Sequence, residues 1–476
     1  MVLMVLPSLL LWPYRSARPV ADDHFFLSPR SHAGVRDAFA GPWPHPLGQA
    51  PAYRPVALLS YWLNGSLAGA SPEGYRLVNY ALHGTNAALL MIVALQLADL
   101  RAGFLAGLLF AVAPTTHESV IWISGRPVAL ATTFYLVFLV CGLLPVDGRR
   151  WARCAVAAAA FGAALLTYEL AVTAPAVLAL LAMASRRRQP DGASNAGEVV
   201  LVSLALTGVY LAIRWTLVDP GRDIALLTNE GVLEAPRRVV VNHAVLGLRF
   251  SGWNPFDRAP DVAGGARLAA LLIILGLGGR SLRPREIGPL SCVLGAALVS
   301  YAPTAAYVAY TDRFAYLAAA LLSLAVALLL DRVLSRRALV GWVATTALVA
   351  SSGVALAGHG RDWHEAGEMS AAALDTVVGE CPRPKAGAML AFEGLPRRHR
   401  SAYVFITYFE LALQARYDRS DLRILRDENA CAQPEARSSA AHAAAWRWDP
   451  VALRLRACTP LDACEAPSGQ VLTRTR

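Results

Sequence analysis

Apolar runs of roughly twenty residues recur along the first three quarters of the chain, separated by short polar joints, which is the spacing of helices that cross a bilayer. The windows are 76–98, 101–121, 127–145, 151–169, 171–186, 198–215, 265–280, 287–303, 314–331 and 338–356. The run from Met1 to Tyr14 is shorter: it reaches roughly 21 Å against about 30 Å of hydrocarbon. We read it as a first span. A signal peptide is the weaker alternative, because no basic segment opens it and no clear small-residue cleavage site precedes Asp22. The pattern predicts an all-α polytopic membrane protein of about eleven transmembrane helices.

Some polar joints are too long for simple connections. A loop of about 60 residues follows the first span; it begins rich in Pro, His and Gly (GPWPHPLGQAPAYRP) and continues as an apolar stretch, Val56 to Leu67, with Tyr61, Trp62 and Asn64 interleaved. That stretch reads as a helix lying in the membrane interface. A second long loop, 216–264, carries Asp219, Arg222, Asp223, Arg237 and Arg238 and a further apolar run, Val239 to Phe250. From 357 the chain turns polar and aromatic, which divides it into a membrane domain, 1–356, and a small extracytoplasmic domain, 357–476, with a tail expected to fray from Ser468.

Arginines set the orientation. Arg149, Arg150 and Arg153, then Arg186, Arg187 and Arg188, then Arg280, Arg283 and Arg285, then Arg332, Arg336 and Arg337 occupy alternate joints, so all four clusters fall on one side, the cytoplasmic one. The N-terminus is then cytoplasmic, and Asp22-Asp23 and the C-terminal domain lie outside. These clusters account for much of the net charge of +10, so the basic balance is one of topology and not of nucleic-acid binding. Lys385 is the sole lysine, an arginine bias that fits a GC-rich bacterial genome and the inner membrane of such a cell. Hydrophobic residues make up 55% and charged ones 16% of the chain, which excludes a soluble enzyme.

Cys141, Cys154 and Cys292 lie in or beside spans and read as small buried hydrophobes. Cys381, Cys431, Cys458 and Cys464 lie in the C-terminal segment and suggest two disulfides with three pairings open; no C-x2-C pair supports zinc.

Ionisable groups gather on the outer side. Asn79, His83 and Asn86 share one helical face, which interhelical hydrogen bonding alone explains. The third span ends FAVAPTTHESVIWISGR, where Pro114 breaks the helix and leaves His117 and Glu118 near the surface with Arg126 opening the next span. Ile121 stands where a metalloprotease H-E-x-x-H would need its second histidine. Tyr168-Glu169 and Asp312, Arg313 and Tyr316 fall on the same side as Asp22-Asp23. Charges serving only to cap helices would appear at both faces.

The order DD, YRP, LVNYALHGTNA, FAVAPTTHESVIWISGR, YE, DRFAY resembles the transmembrane O-mannosyltransferase-like proteins that carry tetratricopeptide repeats, and their bacterial relatives, within the lipid-sugar-dependent glycosyltransferases of the C-type fold. It covers roughly residues 15–320 and is most specific from Tyr53 to Arg126. The resemblance implies an inverting transfer of a sugar from a polyprenyl-phosphate carrier to an extracytoplasmic glycan, lipid or protein acceptor. It implies Asp22 or Asp23 as base and matches Arg54, His117, Glu118, Arg126 and Arg313 by position; with His83, Glu169 and Asp312, read from the spans and outer joints, these are the candidate substrate or phosphate contacts. Ala113 replaces a frequent histidine, Tyr168 a frequent lysine, and the repeat tail is absent. No cofactor is required; Mg²⁺ or Mn²⁺ held by Asp22, Asp23, His117 and Glu118 is the alternative.

Two other classes compete. A secondary transporter would place its site near the midplane with half-to-half symmetry, which the sequence lacks. A non-catalytic scaffold for envelope assembly would tolerate loss of Asp22-Asp23. No Gly-rich phosphate loop or nucleophile elbow supports ATP-driven or serine-hydrolase chemistry.

Overall fold

The computed structural model describes residues 1–27, 35–41, 52–145, 149–186, 194–218, 234–251, 262–307, 310–419, 421–426, 428–431, 443–459, 461 and 463–465. Asp219, Arg222, Asp223, Arg187, Arg188, most of the Pro-rich loop and the tail from Ser468 lie outside them. Two compact units emerge. The first holds Met1–Arg15, Ala33–Gly69 and Glu73–Gly360; the second holds Ser16–His32, Ala70–Pro72 and Arg361–Arg476. The division therefore falls four residues beyond the expected one, and the segment with Asp22-Asp23 folds with the C-terminal unit.

Among the described residues eight helical segments are long and apolar enough to cross a membrane: Pro72–Leu95, Ile123–Leu143, Glu169–Arg186, Ala196–Leu217, Val262–Ser281, Pro284–Ala305, Tyr316–Arg336 and Ala338–Glu380. This is a multi-pass membrane protein. The expected count of eleven differs for identifiable reasons. Val2–Tyr14 and Leu100–Ala111 are short apolar helices, and Arg150–Leu165 has only 16 residues. The window 101–121 stops at Ala111 because Ala113, preceding Pro114, is extended, and a proline at that point cannot continue the ladder. The helix begins where the Asp99 carboxylate accepts the Ala102 N–H at 2.9 Å. The last window overruns instead: one 43-residue helix, Ala338–Glu380, continues past the apolar stretch.

The two apolar pieces of the long loops are helices, Pro55–Ala68 and Glu234–Ser251. The second packs Leu246 against Tyr301, Ala305, Ala315 and Ala318, with Phe314 and Tyr310 beside them. The arginine joints share one end of the bundle. Arg101 bonds Asp331 and Ser335, Arg332 pairs with Glu286 at 3.2 Å, and Ser185 donates to the Gln96 carbonyl. There too Pro145 bridges Ser194 and Arg150 pairs with Glu198. The joints at the opposite end carry His117, Glu118 and Arg313.

The C-terminal unit contains a mixed sheet that the sequence reading did not anticipate. β1 (Met389–Glu393), β4 (Arg423–Arg426), β5 (Ala443–Asp449) and β6 (Arg454–Ala457) lie in the order β4-β1-β5-β6. β1 runs parallel to β4 and β5, and β5 is antiparallel to β6. Phe392 stacks on Trp446 at 5.3 Å over this sheet. β2 (Arg398–His399) and β3 (Ala402–Tyr403) form a separate two-stranded antiparallel hairpin. The four cysteines settle the open pairing as Cys381–Cys464 and Cys431–Cys458. They close loops of 83 and 27 residues, so reduction should destabilise this unit by about 2–5 kcal/mol. Limited proteolysis with and without dithiothreitol checks it: cleavage within 381–464 should speed up on reduction while the membrane helices stay protected.

Candidate active site

The broken helix after Phe110 builds the site. Pro114 opens a tight turn, and His117–Val120 forms a single helical turn buried throughout. Gly125 holds that turn in place: a Cβ there would run into the Glu118 carbonyl oxygen and Ser119 Cα. Gly125→Ala should therefore shift Glu118 and cost about 1–3 kcal/mol, read as a lower unfolding temperature in nanodiscs.

Three polar side chains converge on Asp312. His117 Nε2 stands 2.9 Å from its Oδ2, and the Tyr310 hydroxyl donates to Oδ1 at 2.8 Å. Arg249 donates from Nε at 3.2 Å and from Nη2. Burial alone would push the Asp312 carboxyl upward, but the Arg249 guanidinium and the bond to His117 hold it well below the usual carboxylate range. The His117 ring stacks on His359 at 4.2 Å. Glu118 Oε2 accepts the Arg313 backbone N–H at 3.0 Å, tying the turn to the loop that carries Asp312.

A run of rings and cations lies beside this cluster. The Arg313 guanidinium sits 4.9 Å from the Trp122 ring and 4.7 Å from the Phe314 ring. Among the described residues its Nε has no hydrogen-bond partner and no carboxylate pairs with it. Phe314 lies 6.3 Å from Tyr168, and Tyr168 carries the Arg54 guanidinium at 4.2 Å. Arg54 pairs with Glu169 at 2.8 Å. Tyr168 thus serves as a platform for Arg54.

Other candidates are engaged in the scaffold. Arg126 is fully buried. It donates to Asn79 Oδ1 at 2.9 Å, Asn64 Oδ1 at 2.6 Å and the carbonyls of Tyr75 and Ser60 at 2.9 and 3.2 Å. Tyr61 and Tyr75 flank it. With its donors committed to Pro55–Ala68 and Pro72–Leu95, Arg126 is removed from the phosphate set. His83 is likewise buried and bonded through Nδ1 to the Tyr316 hydroxyl at 2.7 Å. Asn79 and Asn86 bond the carbonyls of Trp122 and Ala129. That face is interhelical glue.

A divalent ion does not suit the donors present. One ligand atom from each of His117, Glu118 and Asp312 lies within 4.8 Å of the others. Yet both Asp312 oxygens already accept from Arg249, and Glu118 Oε2 holds the Arg313 N–H. A metal would have to sit against the Arg249 cation, so no step is routed through one.

In the second unit the two aspartates differ. Asp23 is fully buried and its Oδ2 accepts the Val20 N–H at 3.4 Å. Asp22, the N-cap of the short helix Asp23–Phe26, is half-buried, and its Oδ1 accepts from the Thr407 hydroxyl. His24 beside them is pushed down to about 4, by burial first and the Arg416 charge second.

Sequence reading missed Arg249, Tyr310, His359 and Thr407. Arg249 had a signal: it is a charge near the end of the otherwise apolar run Val239 to Phe250. The others had none.

Comparison with known proteins bears on this geometry. No protein-family model matches the chain. It is 34% identical over 161 residues to protein O-mannosyl-transferase Tmtc1 of Drosophila melanogaster, 33% of this chain and 18% of that protein. Over 139 residues it is 33% identical to protein O-mannosyl-transferase TMTC2 of Homo sapiens, 28% of this chain and 17% of that protein. The chain resembles the protein O-mannosyl-transferases. The match spans less than a fifth of either relative's length. Over the whole fold, ArnT from Cupriavidus metallidurans, solved with undecaprenyl phosphate, superposes with a TM-score of 0.53 at 13% identity, covering 95% of this chain and 93% of that one. The C-type glycosyltransferase fold that the O-mannosyl-transferase-like motifs implied is the fold observed.

Proposed function

We propose that this chain is an integral membrane glycosyltransferase that moves a sugar from a polyprenyl-phosphate carrier to a hydroxyl acceptor, with inversion at the anomeric carbon. The observation that carries the reading is Arg313, a cation held between Trp122 and Phe314 with no carboxylate paired to it among the described residues, in a chain that resembles O-mannosyl-transferases. A guanidinium left open in this way suits a phosphate, whose oxygens its planar fork can bind two at a time. Asp22 takes the proton of the acceptor hydroxyl as that oxygen attacks the anomeric carbon. The bond from that carbon to the carrier phosphate breaks, and Arg313 stabilises the charge on the departing polyprenyl phosphate. Arg54, already paired with Glu169, supports the field at the same end of the bundle.

Placement in a bacterial inner membrane follows from the arginine bias and from the clustering of basic joints at one bundle end, which the positive-inside rule assigns to the cytoplasm. The N-terminus is then cytoplasmic, and the C-terminal unit faces the oxidising compartment in which its two disulfides form.

The test is consumption of carrier by the purified protein in vesicles, using a panel of polyprenyl-phosphate sugars and a crude envelope acceptor. Consumption of one donor supports the reading and names the sugar. Consumption of none by folded protein moves the reading to a transporter or scaffold.

A further inference from the structure

The contact between Asp22 and Thr407 spans 385 residues of sequence, and local backbone rules do not account for it. Asp22 occupies the N-cap of Asp23–Phe26, where an aspartate ordinarily turns its carboxylate onto the backbone N–H groups of the first turn. Here it makes no such cap. Thr407 precedes the helix Phe409–Tyr417 by two residues, yet no side chain caps that helix either. Both side chains forgo the local bond and meet each other.

The backbone is set to bring them together. Ala21 has φ +45° and Tyr408 has φ +58°, the left-handed region that costs a residue with a Cβ. One precedes Asp22 and the other follows Thr407, so the two strained positions bracket the bond. The Ala21 N–H donates to the Val404 carbonyl at 3.1 Å, and Phe25 stacks on Tyr408 at 5.5 Å. Three contacts thus clamp the Asp22 segment onto residues 404–408, and unfavourable backbone persists where its surroundings over-determine it.

We propose that Thr407 is a positioning residue for Asp22: its hydroxyl donates to Oδ1 and fixes the carboxylate rotamer in which Asp22 meets the acceptor. This assigns a task to the C-terminal unit, and it rests on Asp22 being the base. Thr407 itself touches no substrate.

Thr407→Val keeps the shape and removes the donor; Thr407→Ser keeps the donor. With the donor identified by the carrier panel, Thr407→Val should lower kcat about 10-fold or more with KM within about twofold, as misplacement of a catalytic group does, and Thr407→Ser should retain most of kcat. Unfolding temperatures in nanodiscs give a readout independent of any donor. Thr407→Val should lower the wild-type value but add little to Asp22→Ala, which has no oxygen to accept the bond. Additive losses, or a wild-type kcat in Thr407→Val, would overturn the proposal. The two failures are separable. Full turnover by Asp22→Asn sinks the role of Asp22 itself, whereas an inactive Asp22→Asn beside a fully active Thr407→Val removes only Thr407.

Discussion

Asp22→Asn should abolish carrier consumption, with a loss of about 10²–10⁴-fold, the range for removal of a general base. The amide keeps the size of the carboxylate and can still accept from Thr407, so folding should be close to wild type. Asp23→Asn should behave differently. Asp23 is fully buried and its Oδ2 accepts the Val20 N–H, so it holds the turn entering Asp23–Phe26. Its replacement should lower stability by about 1–3 kcal/mol, with a turnover per folded molecule much nearer the wild type. Carrier consumption, normalised to folded protein by size exclusion, separates the two. Equal losses of specific activity would show that the acids act as a pair and that burial does not divide their roles.

Asp312→Ala should produce the largest loss of stability, roughly 3–5 kcal/mol, because it strands a partly buried guanidinium whose charge the carboxylate balances. The Arg249 side chain is 14% exposed and Asp312 3%, so water cannot take over the role. The effect should reach beyond the loop, since Arg249 anchors Glu234–Ser251 and His117 anchors the turn after Pro114. Asp312→Asn keeps the shape and should cost less. The sign of the pH dependence follows from the lowered carboxyl. A carboxyl held below its unfolded value of about 3.9 contributes fully above that value and is lost only as pH falls through the lowered one. The difference in unfolding temperature between wild type and Asp312→Asn should therefore not shrink between pH 8 and pH 5. A difference that shrinks toward pH 5 would mean that Asp312 takes up a proton there and that Arg249 does not hold it ionised.

The membrane architecture was legible because hydrophobic length is a local property. Windows such as 198–215 and 265–280 became Ala196–Leu217 and Val262–Ser281, since an apolar stretch in lipid satisfies its own backbone only as a helix. The break at Pro114 was equally local, because it follows from a missing N–H and a ring clash. Arginines in alternate joints placed four clusters at one bundle end for the same reason: helix direction alternates with every crossing. The four C-terminal cysteines announced two bridges.

What sequence left undecided depends on groups far apart in the chain. The three arginine candidates look alike as letters. Only packing shows Arg126 with its donors spent on Asn64, Asn79 and two carbonyls, while Arg313 keeps an Nε that is unpartnered among the described residues, between two rings. The disulfide pairing, the small sheet and the meeting of Arg249 with Asp312 are likewise long-range. Two adjacent aspartates were visible from the start, but their inequality was not. Burial of Asp23 and the bond from Thr407 to Asp22 arise when chain segments 385 residues apart fold into one unit. Sequence by itself determined that this protein spans a membrane, where its helices break and which ends carry charge, because each follows from local solvation and backbone geometry. Tertiary structure alone decided which of those charges remain available for chemistry, because availability is set by whichever distant partner has already taken the hydrogen bond.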